Sequence, residues 1–178
     1  MPRPLKIYLA GPDVFLPDAI AAGKRKKQLC TEYGFEGLFP LDNDIPPATG
    51  GSPTDVLIYR ANLALIRAAD LGILHLTPFL GPSADPGTVF ELGLLVGLGK
   101  PVFGYTNVAV DLADRVAPDG CLIEPFGLID NLMVEGPVRQ SGATVVRGDV
   151  PPDERLGSLE AFTTCVELAA RRLSTPSR

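Results

Sequence analysis

Tryptophan is absent from the 178 residues, histidine occurs once, and only three cysteines are present. A lone histidine, His75, cannot build a His-rich metal site. Cys30, Cys121 and Cys165 are odd in number and widely spaced, which argues against a disulfide framework and against a CxxC zinc site. No apolar run approaches about 18 residues, so no transmembrane span is expected. Met1-Pro2-Arg3-Pro4 leads straight into Leu5-Lys6-Ile7-Tyr8-Leu9, without the charged, apolar and cleavage regions of a signal peptide. Positive charge is in deficit: 16 Lys+Arg against 21 Asp+Glu leave a net charge of −5. That balance argues against nucleic acid as the main partner. The expectation is a cytoplasmic domain with no metal, no cofactor and no membrane association.

Glycine and proline are plentiful, at 19 and 18 residues. Together they stay below the roughly 25–30% that marks disorder, so they predict long, shaped loops. With 46% hydrophobic residues, the length suits a single domain over residues 1–178 with a core that needs no disulfide.

Short apolar runs alternate with helical patterns. Leu5–Ala10 reads as a buried strand stopped by Gly11-Pro12, and Pro17–Tyr33 as a helix capped by Gly34. The Lys24-Arg25-Lys26-Lys27 run on that helix reads as a solvated face. Phe35–Phe39 is the second strand, followed by a turn-rich stretch from Pro40 to Pro53. Thr54 is the expected cap of a helix to Ala69, with Leu57, Ala61, Leu65 and Ala68 on its inner face. Leu71–Leu76 is the third strand, Gly87–Leu98 a helix and Val102–Tyr105 the fourth strand. An irregular segment runs from Thr106 to Gly142 with one short helix near Asn131. Ala143–Val146 is a fifth strand, and Glu154–Leu173 a last helix turning Leu159, Phe162, Val166, Ala169 and Leu173 inward. This alternation predicts an α/β fold: a flavodoxin-like, doubly wound, five-stranded parallel sheet with helices on both faces. With strand order 2-1-3-4-5, ligands bind at the carboxyl ends of strands one and three. The candidate site is then built from Tyr8–Phe15 and Thr77–Glu91.

Two carboxylates fall at that edge, Asp85 before a helix and Glu91 within its first two turns. Two acids in different environments can divide nucleophile and acid roles, as glycosyl transfer through an oxocarbenium-like transition state requires. The same spacing also suits a plain helix cap and an acid facing the helix dipole. Gly11 lets a ligand approach the backbone, although a single glycine is no GxGxxG fingerprint. Tyr8 is either a core tyrosine or a phenol bonded to a carboxylate. His75 reads as a packed residue, Cys30 and Cys165 as core, and Cys121 as a loop residue.

Four blocks carry a resemblance: Ile7-Tyr8-Leu9-Ala10-Gly11-Pro12, Pro40-Leu41-Asp42-Asn43, Asp85-Pro86-Gly87-Thr88-Val89-Phe90-Glu91-Leu92-Gly93 and Asp130-Asn131-Leu132-Met133. In this order, with six residues from Asp85 to Glu91, the chain resembles the nucleoside 2-deoxyribosyltransferase family from Lys6 to about Val134. The resemblance implies a ping-pong transfer of deoxyribose between nucleobases through a covalent deoxyribosyl-glutamate. It implies Glu91 as nucleophile, Tyr8 as the group that orients it, and Asp85 as the acid that protonates the departing base. Asn131 would reach the sugar 5′-hydroxyl from a neighbouring subunit, which implies a homo-oligomer with shared active sites. Gly11, Asp42 and Met133 join the implied substrate-binding set. Deoxyribonucleosides and free nucleobases are the implied partners.

Asn62 stands where some members carry an aspartate, and Asp44 near a base-contacting glutamine of others, so both bear on base preference. Phe15 and Phe79 are placed either to sandwich a base or to serve as core. Two other functions fit the same residues less well. A nucleoside 5′-monophosphate N-glycosidase would need donors for a dianionic phosphate, which an acidic stretch around Asn131 does not offer. A non-catalytic nucleoside-binding domain would not need Asp85 and Glu91 together.

Overall fold

The computed structural model describes residues 3–43, 54–117 and 119–174. Five parallel strands form one sheet in the order β2-β1-β3-β4-β5. They are β1 Leu5–Ala10, β2 Phe35–Leu38, β3 Leu71–His75, β4 Val102–Thr106 and β5 Val146–Arg147. The helices are α1 Ala19–Glu32, α2 Thr54–Ala68, α3 Pro86–Gly97, the short α4 Leu112–Arg115, α5 Leu132–Gln140 and α6 Glu160–Ser174. Helices α1 and α6 pack together as one layer, and α3 packs with α2 and α5 as the other. The expected class and strand order are therefore the observed ones.

Strands β3 and β4 are buried along their whole length, as a sheet covered on both faces demands. Ile7, Leu9, Ile73, Leu74, Val102 and Phe103 form the middle of the core, under Phe162, Val166 and Ala169 of α6 and Leu92 and Leu95 of α3. Each of these side chains larger than alanine contributes about 1.5–3 kcal/mol on burial. Among the described residues no helix is long and apolar enough to cross a membrane.

Several boundaries differ from the expectation. A 3-10 turn, Pro12–Phe15, precedes α1, which starts at Ala19 rather than Pro17. The basic run on α1 is not wholly solvated: Lys26 is buried, because it shares the inward phase of Ala19, Ala22, Gly23 and Cys30. On α2 the most buried residue is Ile66, and Ala68 is exposed, so the inner face is rotated from the one expected. Strand β5 is shorter and later than Ala143–Val146, because the Ala143 amide still closes α5 on the Val138 carbonyl at 3.2 Å. Helix α6 begins at Glu160, not Glu154. The Arg155 and Ser158 carbonyls bond the Asn107 side chain at 2.7 and 3.1 Å, which holds the preceding residues in turns. On α6, Cys165 is buried and Leu173 is 38% exposed, reversing the expectation for Leu173. The segment after β4 holds α4 and a nine-residue α5 where one short helix was expected.

Candidate active site

Tyr8 and Glu91 meet across the layer between sheet and helix. Tyr8 lies on β1, in register with Gly72 of β3. A Cβ on Gly72 would collide with Leu95 Cδ1. The missing side chain lets α3 settle onto the sheet at that point. Glu91, one turn before Leu95, then comes down over Tyr8. The Tyr8 hydroxyl donates to Glu91 Oε1 at 2.5 Å, within the range of a bond to a charged acceptor.

Burial raises the Glu91 carboxyl from its ordinary 4.5 to about 7. The Tyr8 bond opposes that shift, and the nearby Asp85 charge adds to it. Burial, reinforced by Glu91, pushes the Tyr8 phenol far above its usual range. Tyr8 therefore remains a donor at any ordinary pH.

Asp85 is the N-cap of α3, with Pro86 in the first helical turn. Its Oδ2 accepts from the Thr88 amide at 2.8 Å and the Thr88 hydroxyl at 3.1 Å. Both bonds fall on one oxygen. The capping reading of Asp85 thus holds, and it also fixes the carboxyl beside Glu91. Asp130 anchors the loop before this cap, accepting from the Ala84 amide at 2.7 Å.

A buried polar cluster underlies the turn after β1. Asp13 accepts from Lys26 Nζ at 2.5 Å and pairs with His75 Nδ1 at 3.0 Å. His75 Nε2 lies 2.7 Å from Thr77 Oγ1, which accepts from the Asn107 amide at 2.9 Å. Burial, with the Lys26 charge, lowers the His75 pKa, which favours a neutral ring. A neutral ring with its proton on Nδ1 donates to Asp13 and accepts from the Thr77 hydroxyl, so each hydrogen is used once. Burial alone would raise Asp13, but Lys26 and His75 outweigh it and hold the carboxyl below its usual range. Gly11 is needed here, since a Cβ would stand 2.5 Å from His75 Cβ. His75 is packed, as expected, and stacks on Tyr105 at 4.4 Å. Asp13 and Lys26 were not singled out from sequence. The signal was the helical phase of Lys26 with Ala22, Gly23 and Cys30, opposite an acid just past the β1 turn.

Phe15 and Phe79 stack on each other, with centroids 5.3 Å apart and planes 10° apart. No base fits between them, so the sandwich reading is replaced by a two-ring stack with Phe15 63% exposed. Asp42, next to the β2 end, is already engaged: Oδ2 accepts from the Phe39 amide at 2.9 Å, and Oδ1 pairs with Lys27. Asp44 lies outside the described residues. Asn62 is half-buried on α2, and its Oδ1 is buried without a hydrogen-bond partner among the described residues. Asn131 caps α5, accepting from the Met133 amide at 2.9 Å; both residues are exposed. The structure thus brings Tyr8, Glu91 and Asp85 together and ties Asn131 to the same loop through Asp130.

A family model described as nucleoside 2-deoxyribosyltransferase matches residues 7–133. The chain is 30% identical to an uncharacterized protein of Schizosaccharomyces pombe, over 95% of this chain and 90% of that one. A 2-desoxiribosyltransferase from Leishmania mexicana superposes with a TM-score of 0.68 at 33% identity, over 92% of this chain and 98% of the other. A conserved protein of Enterococcus faecalis shares the fold, with a TM-score of 0.59 at 19% identity over 93% and 99% of the two chains.

Proposed function

The chain belongs to the nucleoside 2-deoxyribosyltransferase family, and from that premise we propose that it moves 2-deoxyribose between nucleobases through an ester on Glu91. Membership indicates deoxyribosyltransferase-type chemistry acting on nucleosides. The observation that supports the finer reading is the 2.5 Å Tyr8–Glu91 bond at the sheet's carboxyl edge, with Asp85 capping the same helix.

Tyr8 occupies Oε1, which leaves Oε2 of the Glu91 carboxylate to attack C1′ of the donor. The C1′–N bond breaks and its electron pair goes to the base nitrogen. That nitrogen takes a proton from Asp85, whose Oδ1 carries neither capping bond. A positioned acid of this kind contributes about 10²–10⁴-fold. The incoming base nitrogen then attacks C1′ on the same face that the first base left. The C1′–O bond breaks, its electron pair returns to Glu91, and the incoming base gives its proton to Asp85. Two displacements at C1′ retain configuration.

A 2′-hydroxyl would crowd the nucleophile's side of the ring and withdraw electrons from the forming cation. The 2-deoxy sugar is therefore the favoured substrate. Asn131 binds the 5′-hydroxyl in the pocket of a neighbouring subunit, and Met133 lies with it. The exposed Phe15 ring offers a face for the base.

Incubation with deoxyinosine and free adenine should yield deoxyadenosine by chromatography. A slow 2-fluoro donor should leave a sugar adduct on Glu91 by mass spectrometry. Hydrolysis without transfer, or an adduct elsewhere, would replace this reading with that of an N-glycosidase or a different nucleophile. Binding without either reaction would leave a nucleoside-binding domain.

A further inference from the structure

The Asp130 side chain is almost wholly buried, at 3% exposure, yet it touches neither Tyr8 nor Glu91 in the hydrogen-bond network. Its two oxygens are committed to two different segments. Oδ2 accepts from the Ala84 amide at 2.7 Å, and Oδ1 accepts from the amide of Asn131 at 2.8 Å. Ala84 directly precedes Asp85, the cap of α3, and Asn131 is itself the cap of α5. One carboxylate therefore clasps the backbone next to both caps, across 46 residues of chain. The half-buried Arg115 guanidinium braces the same spot by donating to the Ile129 carbonyl. A carboxylate can accept on both sides, whereas a carboxamide must present a donor to one of them. The charged form is thus suited to gripping two N–H groups at once.

We propose that Asp130 is a positioning residue that holds Asp85 toward its own chain's pocket and Asn131 toward the neighbour's, so that proton delivery to the base in one pocket and the grip on the sugar 5′-hydroxyl in the adjoining one are set together. The proposal rests on the roles assigned above to Asp85 and Asn131. Asp130 itself meets no substrate.

The test is donor discrimination in the full-length enzyme. Four donors are compared by kcat/KM: a natural deoxynucleoside, one with an activated leaving group, and the 5′-deoxy form of each. In Asp130→Asn, a misplaced Asp85 should penalise natural donors more than activated ones, and a misplaced Asn131 should weaken the preference for the 5′-hydroxyl. Both ratios should move together, each by about tenfold, the scale of one lost bond to a charged group. A residue that only stabilised the fold would lower all four values by one common factor and leave both ratios unchanged. That result overturns the proposal. Ala84→Pro removes only one of the two clasped N–H groups. It should shift the leaving-group ratio and leave the 5′-hydroxyl preference at the wild-type level, and it carries the test if Asp130→Asn does not fold. A shift in both ratios in Ala84→Pro, or in neither, also overturns the clasp. A wild-type enzyme indifferent to both changes of donor would instead remove the roles of Asp85 and Asn131, and the clasp with them.

Discussion

Glu91 is held between two neighbours that move its proton in opposite directions. Burial sets its pKa near 7, the Tyr8 bond lowers it and the Asp85 charge raises it. Only the carboxylate can attack C1′, so with a donor whose activated leaving group needs no proton from Asp85, kcat/KM should rise with pH along an acid limb near that value. Tyr8→Phe should move the limb to higher pH, and Asp85→Asn should move it to lower pH. Shifts in the same direction in a pH–rate profile would refute this account of the pair. The same shift has a consequence for stability. Between 4.5 and about 7 the folded protein holds a proton that the unfolded chain has released. Stability therefore falls as pH rises through that window and stays lowered above it. The full effect is bounded by about 3–4 kcal/mol. Glu91→Gln should accordingly raise Tm at pH 8 and have little effect at pH 4, while abolishing transfer; equal melting changes at both pH values would contradict it. Little of this was legible beforehand. The Asp85-to-Glu91 spacing marked both residues, but a cap and a catalytic acid look alike in sequence, and here Asp85 has the geometry of a cap while facing Glu91.

At the scale of elements, the height of α3 above the sheet decides whether Tyr8 reaches Glu91. Gly72 sets that height, because Leu95 occupies the space its side chain would take. Leu95 is wholly buried and has little room to turn aside. Gly72→Ala should lift the helix, costing about 1–3 kcal/mol of stability, as overpacking does. Transfer should fall by tenfold or more in a single-turnover assay. Leu95→Val in the same chain should restore part of the rate; a double variant no faster than Gly72→Ala would show that helix height is not the cause. Strands and helices were readable from short apolar runs and helical periods, and β3 and β4 fell within one residue of expectation. The late start of α6 was not, since it depends on Asn107, some fifty residues earlier, taking the Arg155 and Ser158 carbonyls. Lys26 was hidden inside a basic run whose other members point outward or sit at the surface. Local pattern reports which face an element buries, and it is silent about a side chain that borrows its partner from another loop.

For the whole molecule, the decisive matter is where Asn131 acts. It stands exposed with Met133, 70% exposed, near a segment that also bares Leu122 at 96% and Phe126 at 61%. Exposed apolar side chains such as these suit contact with another chain. Glu91→Ala and Asn131→Ala subunits, each inactive alone, should regain activity when mixed, because some oligomers then hold one intact site. Subunit exchange is verified by native mass spectrometry, and exchange without recovered activity would place Asn131 in its own chain's pocket. The buried Asp13–Lys26–His75 cluster bears on the molecule in another way. It joins the turn after β1, helix α1 and the end of β3, and breaking a buried pair typically costs about 3–5 kcal/mol. Neither charge can leave water until the other has arrived, so these segments must dock in one concerted event. The turn that carries Gly11 and Phe15 then has no private way to open: the amides it buries should exchange with solvent in step with those of α1 and the end of β3, not ahead of them.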